Sequence, residues 1–296
     1  MTAMILEIDP SIITLEDLRA DPVLAAAADK EYALKQSGPR TAVPCSVSYL
    51  PFTQFVDRRD LKEHSLKLLA HSKKTAERST PRDAILVDRL SSSKNLGQIE
   101  YNFDVSNYSP YFKSVPGKKY ATMLQMLQYP FSKGSIHIPA MRDGKPVTME
   151  NKPVIDPKYY EGPGGEVDFE MMVRSQEFAD KICATKPLAD IIVGRVYPPA
   201  SSQDADNNLE FDFSDWVRES TITDWHPVGT CSMGGKEGIE GGVVDDRLRV
   251  YGVRGLRVCD ASIMPLHIAS HPQATIYAIG EKGASLILED WEKVRS

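Results

Sequence analysis

Apolar and polar positions run along the chain in blocks whose period changes several times. Residues 14–36 follow a helical pattern: Thr14 precedes Leu15-Glu16-Asp17-Leu18 in a capping arrangement, and an alanine-rich run at 24–33 follows Asp21-Pro22. Ser37-Gly38-Pro39 ends it. Residues 57–77 form a second helical candidate, with Leu61, His64, Leu66 and Leu69 at roughly helical spacing and lysine-rich flanks that read as a solvated face. The short apolar run Ala84-Ile85-Leu86-Val87 reads as a buried strand. Residues 120–129, a turn through Pro130-Phe131-Ser132-Lys133-Gly134, and residues 135–138 read as strand, turn, strand. Asp143-Gly144 offers a hairpin turn. Residues 168–185 predict a helix capped by Asp168, with Phe169, Met172, Val173, Ala179, Ile182 and Cys183 on one side. The Pro-, Ser-, Asp- and Asn-rich stretch 198–208 predicts an exposed loop, and 212–219 a short helix.

The last seventy or so residues are denser in signal. Glycine-rich turns break up 233–242. Val243-Val244-Asp245 and Arg249-Val250-Tyr251 are short strand candidates, and Leu256-Arg257-Val258-Cys259 is an apolar strand ending at Asp260. Pro272 suits the first position of a helix, and 273–288 continues as one apolar helix that tolerates Gly280 and Gly283. That order aims a helix N-terminus at whatever lies beyond the His271-Pro272 turn, and a helix N-terminus suits an anionic group.

Composition narrows the function classes. With 296 residues, 42% hydrophobic and 26% charged, the chain has the balance of a globular protein of one large or two medium domains. A net charge of -6 argues against general nucleic-acid binding, which needs a basic surface. The longest apolar run, at 23–28, is too short to span a bilayer, so no membrane partner is expected. The opening MTAMILEIDPS carries no basic start and only a short apolar stretch broken by Glu7 and Asp9, so no signal peptide is expected in it. Cys45, Cys183, Cys231 and Cys259 lie far apart without a Cys-x-x-Cys pair, which argues against a metal knuckle and for a reduced, cytoplasmic setting.

Two histidines carry the candidate chemistry. His226 lies in Asp224-Trp225-His226-Pro227 and His271 in Ser270-His271-Pro272-Gln273. Each sits beside a proline, whose fixed φ stiffens the turn, and imidazole is the side chain best suited to moving protons near neutral pH. Other constellations are weaker. Ser232 and Ser262 lack a Gly-x-Ser-x-Gly elbow. His267 and His271 are four apart, but the helix start at Pro272 separates them and no carboxylate completes a metal set. Gly162-Pro163-Gly164-Gly165 lacks the strand before it and the Lys-Ser/Thr ending of a phosphate loop, so it reads as a plain loop. Trp225, Met233 and Tyr277 read as packing residues, while Arg174 and Arg218 are candidates for holding an acidic substrate or, more simply, solvated helix arginines.

The string His226-Pro227-Val228-Gly229-Thr230-Cys231-Ser232-Met233-Gly234, then Val243-Val244-Asp245, Tyr251-Gly252-Val253, Gly255-Leu256-Arg257-Val258-Cys259-Asp260-Ala261-Ser262-Ile263-Met264-Pro265 and Ser270-His271-Pro272-Gln273-Ala274-Thr275-Ile276-Tyr277, resembles the C-terminal signature of the glucose–methanol–choline (GMC) oxidoreductases, flavoenzymes that oxidise alcohols with FAD. Tyr129-Pro130-Phe131-Ser132-Lys133-Gly134-Ser135-Ile136-His137-Ile138 and Pro153-Val154-Ile155-Asp156-Pro157 resemble substrate-domain strands of that family, in its fungal members including those of secondary metabolism.

The resemblance implies an α+β fold: a substrate-binding domain over 1–222, with an antiparallel sheet and helices, then the closing strand and helix of an FAD-binding domain over 223–296. It implies His226 as general base, His271 as the partner that orients the alcohol, Asp260 and Ala261 beside the ribityl and pyrophosphate of FAD, and Pro272 and Gln273 along the flavin ring. Family members run to about twice this length, and the Gly-x-Gly-x-x-Gly turn that receives the pyrophosphate does not occur in these 296 residues. The reading is therefore the C-terminal half of such an enzyme, acting on a small-molecule alcohol, as a truncated product, a fragment of a longer gene, or one half of a split enzyme partnered by an N-terminal FAD-domain chain. A redox-inactive remnant that binds a ligand or partner, and a redox-neutral cyclase or lyase using the same histidines, stay open beside it.

Overall fold

The computed structural model of the chain describes residues 1–41, 46–74, 81–91, 96–139, 144, 147–199, 212–235 and 241–295. In chain order its elements are β1 (Thr2–Ile8), α1 (Leu15–Ala20), α2 (Pro22–Lys35), β2 (Ser46–Leu50), α3 (Arg58–Lys74), α4 (Pro81–Ser91), β3 (Ile99–Asp104) and β4 (Lys119–Leu127). There follow β5 (Ser135–His137), β6 (Val154–Asp156), α5 (Gly165–Cys183), β7 (Ile192–Tyr197), α6 (Ser214–Ser220) and α7 (Gln273–Arg295). They fall into two units. The first comprises Met1–Arg58, Lys94–Leu127 and Phe169–Thr223, and the second Arg59–Ser93, Gln128–Asp168 and Asp224–Ser296. One boundary lies next to residue 222, but the second unit also takes two earlier stretches of chain.

The first unit is built on a five-stranded sheet in the order β2-β3-β4-β1-β7, with every neighbouring pair antiparallel. Thr2 lies opposite Gln125 and Leu6 opposite Ala121, while Ile99 lies opposite Leu127 and Asp104 opposite Thr122. β1 is buried except at Glu7, because both of its faces are covered. A strand in that position shows no polar alternation, which is why the opening residues carry no readable strand signal. α5 is tied across the sheet by polar groups. Gln176 Nε2 donates to Thr2 Oγ1 (2.9 Å), Thr2 Oγ1 donates to Gln125 Oε1 (3.0 Å), and Tyr101 Oη donates to Ser175 O (3.1 Å). Phe178 of α5 stacks on Phe55 with centroids 5.4 Å apart.

The helical stretch 14–36 is two helices. Asp21 is held extended before Pro22, as a residue preceding proline prefers, and its carboxylate accepts from Val23 N (2.8 Å) and Leu24 N (3.1 Å) to cap α2. Thr14 and Asp17 form a reciprocal capping box on α1: Thr14 N donates to Asp17 Oδ2 (2.7 Å) and Asp17 N to Thr14 Oγ1 (3.3 Å). Both candidate substrate-binding arginines are otherwise engaged. The Arg218 guanidinium lies 3.8 Å from the Phe169 ring centroid, and Arg174 pairs with Glu177 at 3.6 Å.

In the second unit several expectations are corrected. Residues 84–87 are not a strand but lie within α4, where Leu86, Val87 and Leu90 are buried and Ile85 is exposed. A four-residue apolar run fits either period, and Pro81 opening a helix decides it. The segment 135–138 does not follow 120–129 in one sheet. β5 pairs instead with β6, Ile136 opposite Ile155. Residues 256–259 form no strand: Val250 N donates to Leu256 O (3.0 Å), Val258 N to Leu248 O (3.1 Å), and one antiparallel bridge joins Arg249 and Arg257. Residues 243–245 and 249–251 likewise contribute isolated bridges only. Pro272 lies one residue before α7, and its carbonyl accepts the first helical bond, from Ile276 N (2.9 Å). Asp143, residues 75–77, Cys45 and most of the 198–208 loop lie outside the described residues.

Asp168 is not the cap of α5, which begins three residues earlier at Gly165. Its buried carboxylate accepts from Phe131 N (2.9 Å), Ser132 N (2.7 Å) and Ser132 Oγ (2.5 Å), anchoring the turn before β5. The glycines before it serve close approach: a Cβ on Gly164 would lie 2.2 Å from Phe131 Cβ. Asp168→Ala should cost about 3 kcal/mol in chemical denaturation, because buried donors lose their acceptor. Burial pushes the Asp168 carboxyl up from 3.8 to about 6, against the pull of its three donors and Arg82. The folded state therefore holds this proton more tightly than the unfolded chain does. The group's contribution to stability is present below pH 3.8 and is lost as pH rises to about 6. Asp168→Asn should remove that slope from unfolding midpoints measured across the window.

Candidate functional site

The site is assembled by the chain after Thr223. Trp225 adopts a left-handed backbone (φ 54°), which costs a bulky residue about 1 kcal/mol or more. Beyond it the His226 loop is pinned to a second segment. Cys231 N donates to Ser262 O (3.0 Å), and Met233 N donates to Ile263 O (2.8 Å). That second segment is shaped by Asp260, whose Oδ1 accepts from Ser262 N (2.8 Å) and Ser262 Oγ (2.6 Å), capping the short turn Ala261–Ile263.

α7 is fixed against the same segment by three kinds of contact. Leu286 is buried with Val244, Leu248 and Ile263. Arg247 Nη2 lies 2.7 Å from Asp290 Oδ1, and Arg257 pairs with the other oxygen of the same carboxylate, holding it well below the usual aspartate range with Arg247 the larger influence. Cys259 Sγ donates to Ile279 O (3.2 Å), and a Cβ on Gly283 would lie 2.0 Å from that sulfur. Gly283→Ala should therefore destabilise the protein by about 1–3 kcal/mol. Adding Cys259→Ala should recover part of that loss, a coupling that a double-mutant cycle of thermal midpoints measures.

The result is a cluster of imidazoles. The ring centroids of His226 and His271 lie 5.0 Å apart, edge to face at 76°. His267 is 6.5 Å from His226, with its Nδ1 donating to Ile268 O (2.7 Å). His226 Nδ1 is 3.0 Å from Asp224 Oδ2, and about a quarter of each of those two side chains is exposed. The pairing of His226 with His271 is legible in the sequence; the approach of Asp224 and His267 is not. Asp224 lies two residues before His226, and only the left-handed Trp225 between them brings the heads together. Ser232 and Ser262 turn their hydroxyls to Gly229 O (2.6 Å) and Asp260 Oδ1 (2.6 Å). Among the described residues no set of three or more His, Cys, Asp or Glu has the geometry of a metal site.

Asp260 and Gln273 are exposed, Ala261 is half-buried, and Pro272 is buried. No helix among the described residues is long and apolar enough to cross a membrane.

Comparison with known proteins bears on the family and the fold. Residues 130–280 match the family model described as GMC oxidoreductase. A dehydrogenase, mpl7, of Monascus purpureus is 29% identical over 98% of this chain and 46% of its own length. Choline oxidase of Arthrobacter globiformis is 40% identical over 47% of this chain and 24% of its own. The crystal structure of a formate oxidase superposes with a TM-score of 0.69 at 20% identity, over 99% of this chain and 46% of that one, a likeness of fold. The chain thus spans about half the length of the first of these relatives and of the superposed structure.

FAD is the cofactor of such enzymes, and the described residues fit one end of it. The first helical bond of α7 comes from Ile276, so the N–H groups of Gln273, Ala274 and Thr275 point out of the exposed helix start beside His271. For the pyrophosphate, the Gly-x-Gly-x-x-Gly pattern does not occur in the sequence.

Proposed function

The chain belongs to the GMC oxidoreductase family, and from that membership we propose that it forms the substrate side of an FAD-dependent oxidoreductase acting on the CH–OH group of a small molecule. The observation that carries this reading is the 5.0 Å approach of His226 and His271 at the start of α7. FAD, when bound, supplies the acceptor for the hydride that leaves the carbinol carbon. His226 takes the hydroxyl proton as general base, a role that contributes roughly 10² to 10⁴ in rate. His271 holds the oxygen and stabilises the negative charge that develops on it. Pro272 and Gln273 hold the ring end of the cofactor, and Asp260 and Ala261 its ribityl side.

In this reading residues 1–222 are the substrate-binding domain, and 223–296 close an FAD-binding domain whose pyrophosphate-holding unit lies outside these 296 residues, on an N-terminal FAD-domain chain. A biosynthetic role on a hydroxylated metabolite in fungal secondary metabolism belongs to this reading; the similarity along nearly the whole chain to a dehydrogenase of Monascus purpureus supports its redox part. The test is anaerobic mixing of a panel of primary and secondary alcohols with the chain assembled with its N-terminal FAD-domain partner and loaded with FAD. Bleaching of the flavin absorbance by at least one of them is expected, and its absence with all of them would overturn the reading.

A further inference from the structure

We propose that Asp224 is the positioning residue of His226, holding the imidazole proton on Nδ1 so that Nε2 is the nitrogen left free to accept one. The proposal rests on the reading of His226 as the base. Its first support is the 3.0 Å contact between His226 Nδ1 and Asp224 Oδ2. An ionised carboxylate only accepts, so the nitrogen facing it must donate, and a neutral imidazole with its proton on Nδ1 has its lone pair on Nε2.

The second support is the backbone that makes the contact. Trp225 between the two residues is held at φ 54° although its own side chain is 70% exposed. The strain therefore does not serve burial of the indole. It does fold Asp224 back onto the residue two places on, and Pro227, with its restricted φ, limits the backbone on the other side.

The third support is the surroundings of the ring. His226 is flanked by two further imidazoles, His271 edge to face at 5.0 Å and His267 at 6.5 Å. His267 Nδ1 faces Ile268 O (2.7 Å), and a carbonyl also only accepts, so the His267 proton is fixed without Asp224. Asp224 does for His226 what the backbone does for His267. In the proton transfer the substrate O–H bond breaks, its electron pair stays on oxygen, and an N–H bond forms at Nε2. The other proton stays on Nδ1, donated to Asp224 Oδ2, and the carboxylate charge offsets that of the imidazolium.

The experiment uses the full 296-residue chain labelled with ¹⁵N-histidine, at a pH where its six imidazoles are neutral. Long-range ¹H–¹⁵N correlation NMR reads the tautomer of each ring, and His226→Ala identifies the His226 signals. In the wild-type chain His226 should be a single Nδ1–H tautomer. In Asp224→Asn and Asp224→Ala it should shift towards the Nε2–H form that free imidazole favours, while His267 stays unchanged as the internal reference for an intact loop.

In the flavin-loaded enzyme Asp224→Asn should lower kcat at least about a hundredfold with KM little altered, as misorienting a base does. A His226 ring that keeps Nδ1–H in both variants, or is Nε2–H in the wild type, overturns the proposal. The two readings fail separately. A tautomer that switches while His226→Ala keeps full turnover sinks the base assignment alone. A tautomer that ignores Asp224 while His226→Ala is inactive sinks the positioning role alone.

Discussion

Replacing His226 by alanine is expected to lower alcohol oxidation at least about a hundredfold in any flavin-loaded form of the protein, because a positioned base contributes roughly that much or more. The loss should fall on kcat, since the imidazole matters most as the proton leaves the hydroxyl. His271→Ala should cost less, or chiefly change the pH dependence, if that ring orients oxygen and does not take the proton. Steady-state rates across pH for the two variants and the wild type separate the roles. Near-full turnover in His226→Ala would require them to be reassigned, with His271 at 5.0 Å the first alternative base.

The second large effect concerns the cofactor. The 296-residue chain purified by itself is expected to be colourless and to take up FAD weakly. A dinucleotide needs its two phosphate charges met by backbone N–H groups at the start of a helix that follows a parallel strand. The five strands of the main sheet pair antiparallel, so no parallel strand leads into the helix start at Gln273, which in the proposed reading meets the ring end of the cofactor. α7 also exposes Tyr277, Leu288 and Trp291, an apolar surface that favours association with another chain. Absorbance in the flavin bands after purification, and again after titration with FAD, measures the outcome. Stoichiometric flavin on a soluble monomer would show that these residues suffice.

What the sequence makes legible is local. The capping box at Thr14, the break at Asp21-Pro22 and the two His-Pro turns are each written within a few adjacent residues, and each has its counterpart in the fold. The misreadings share a physical cause, which is that tertiary context chose between options that local pattern leaves equal. Residues 84–87 fit a strand or one face of a helix, and burial of Leu86, Val87 and Leu90 selects the helix. β1 shows no alternation because it is covered on both sides. Asp168 carries a cap's chemistry but spends it on Phe131 and Ser132, far away in the chain. Asp224 stays hidden for the opposite reason: its contact is short-range, but it needs a left-handed tryptophan, and no rule of residue preference places tryptophan there.

The close approach of Cys259 to Gly283 also limits the order in which this stretch can change. With sulfur 2.0 Å from where a side chain at 283 would begin, a larger residue there is costly until position 259 has first become smaller. The reverse order passes through an overpacked intermediate. Drift at these two positions is therefore biased in direction: a step at 259 relieves the contact that makes a step at 283 costly. A lineage that has made the first step and filled the gap at 283 regains the cysteine only against that same overpacking cost.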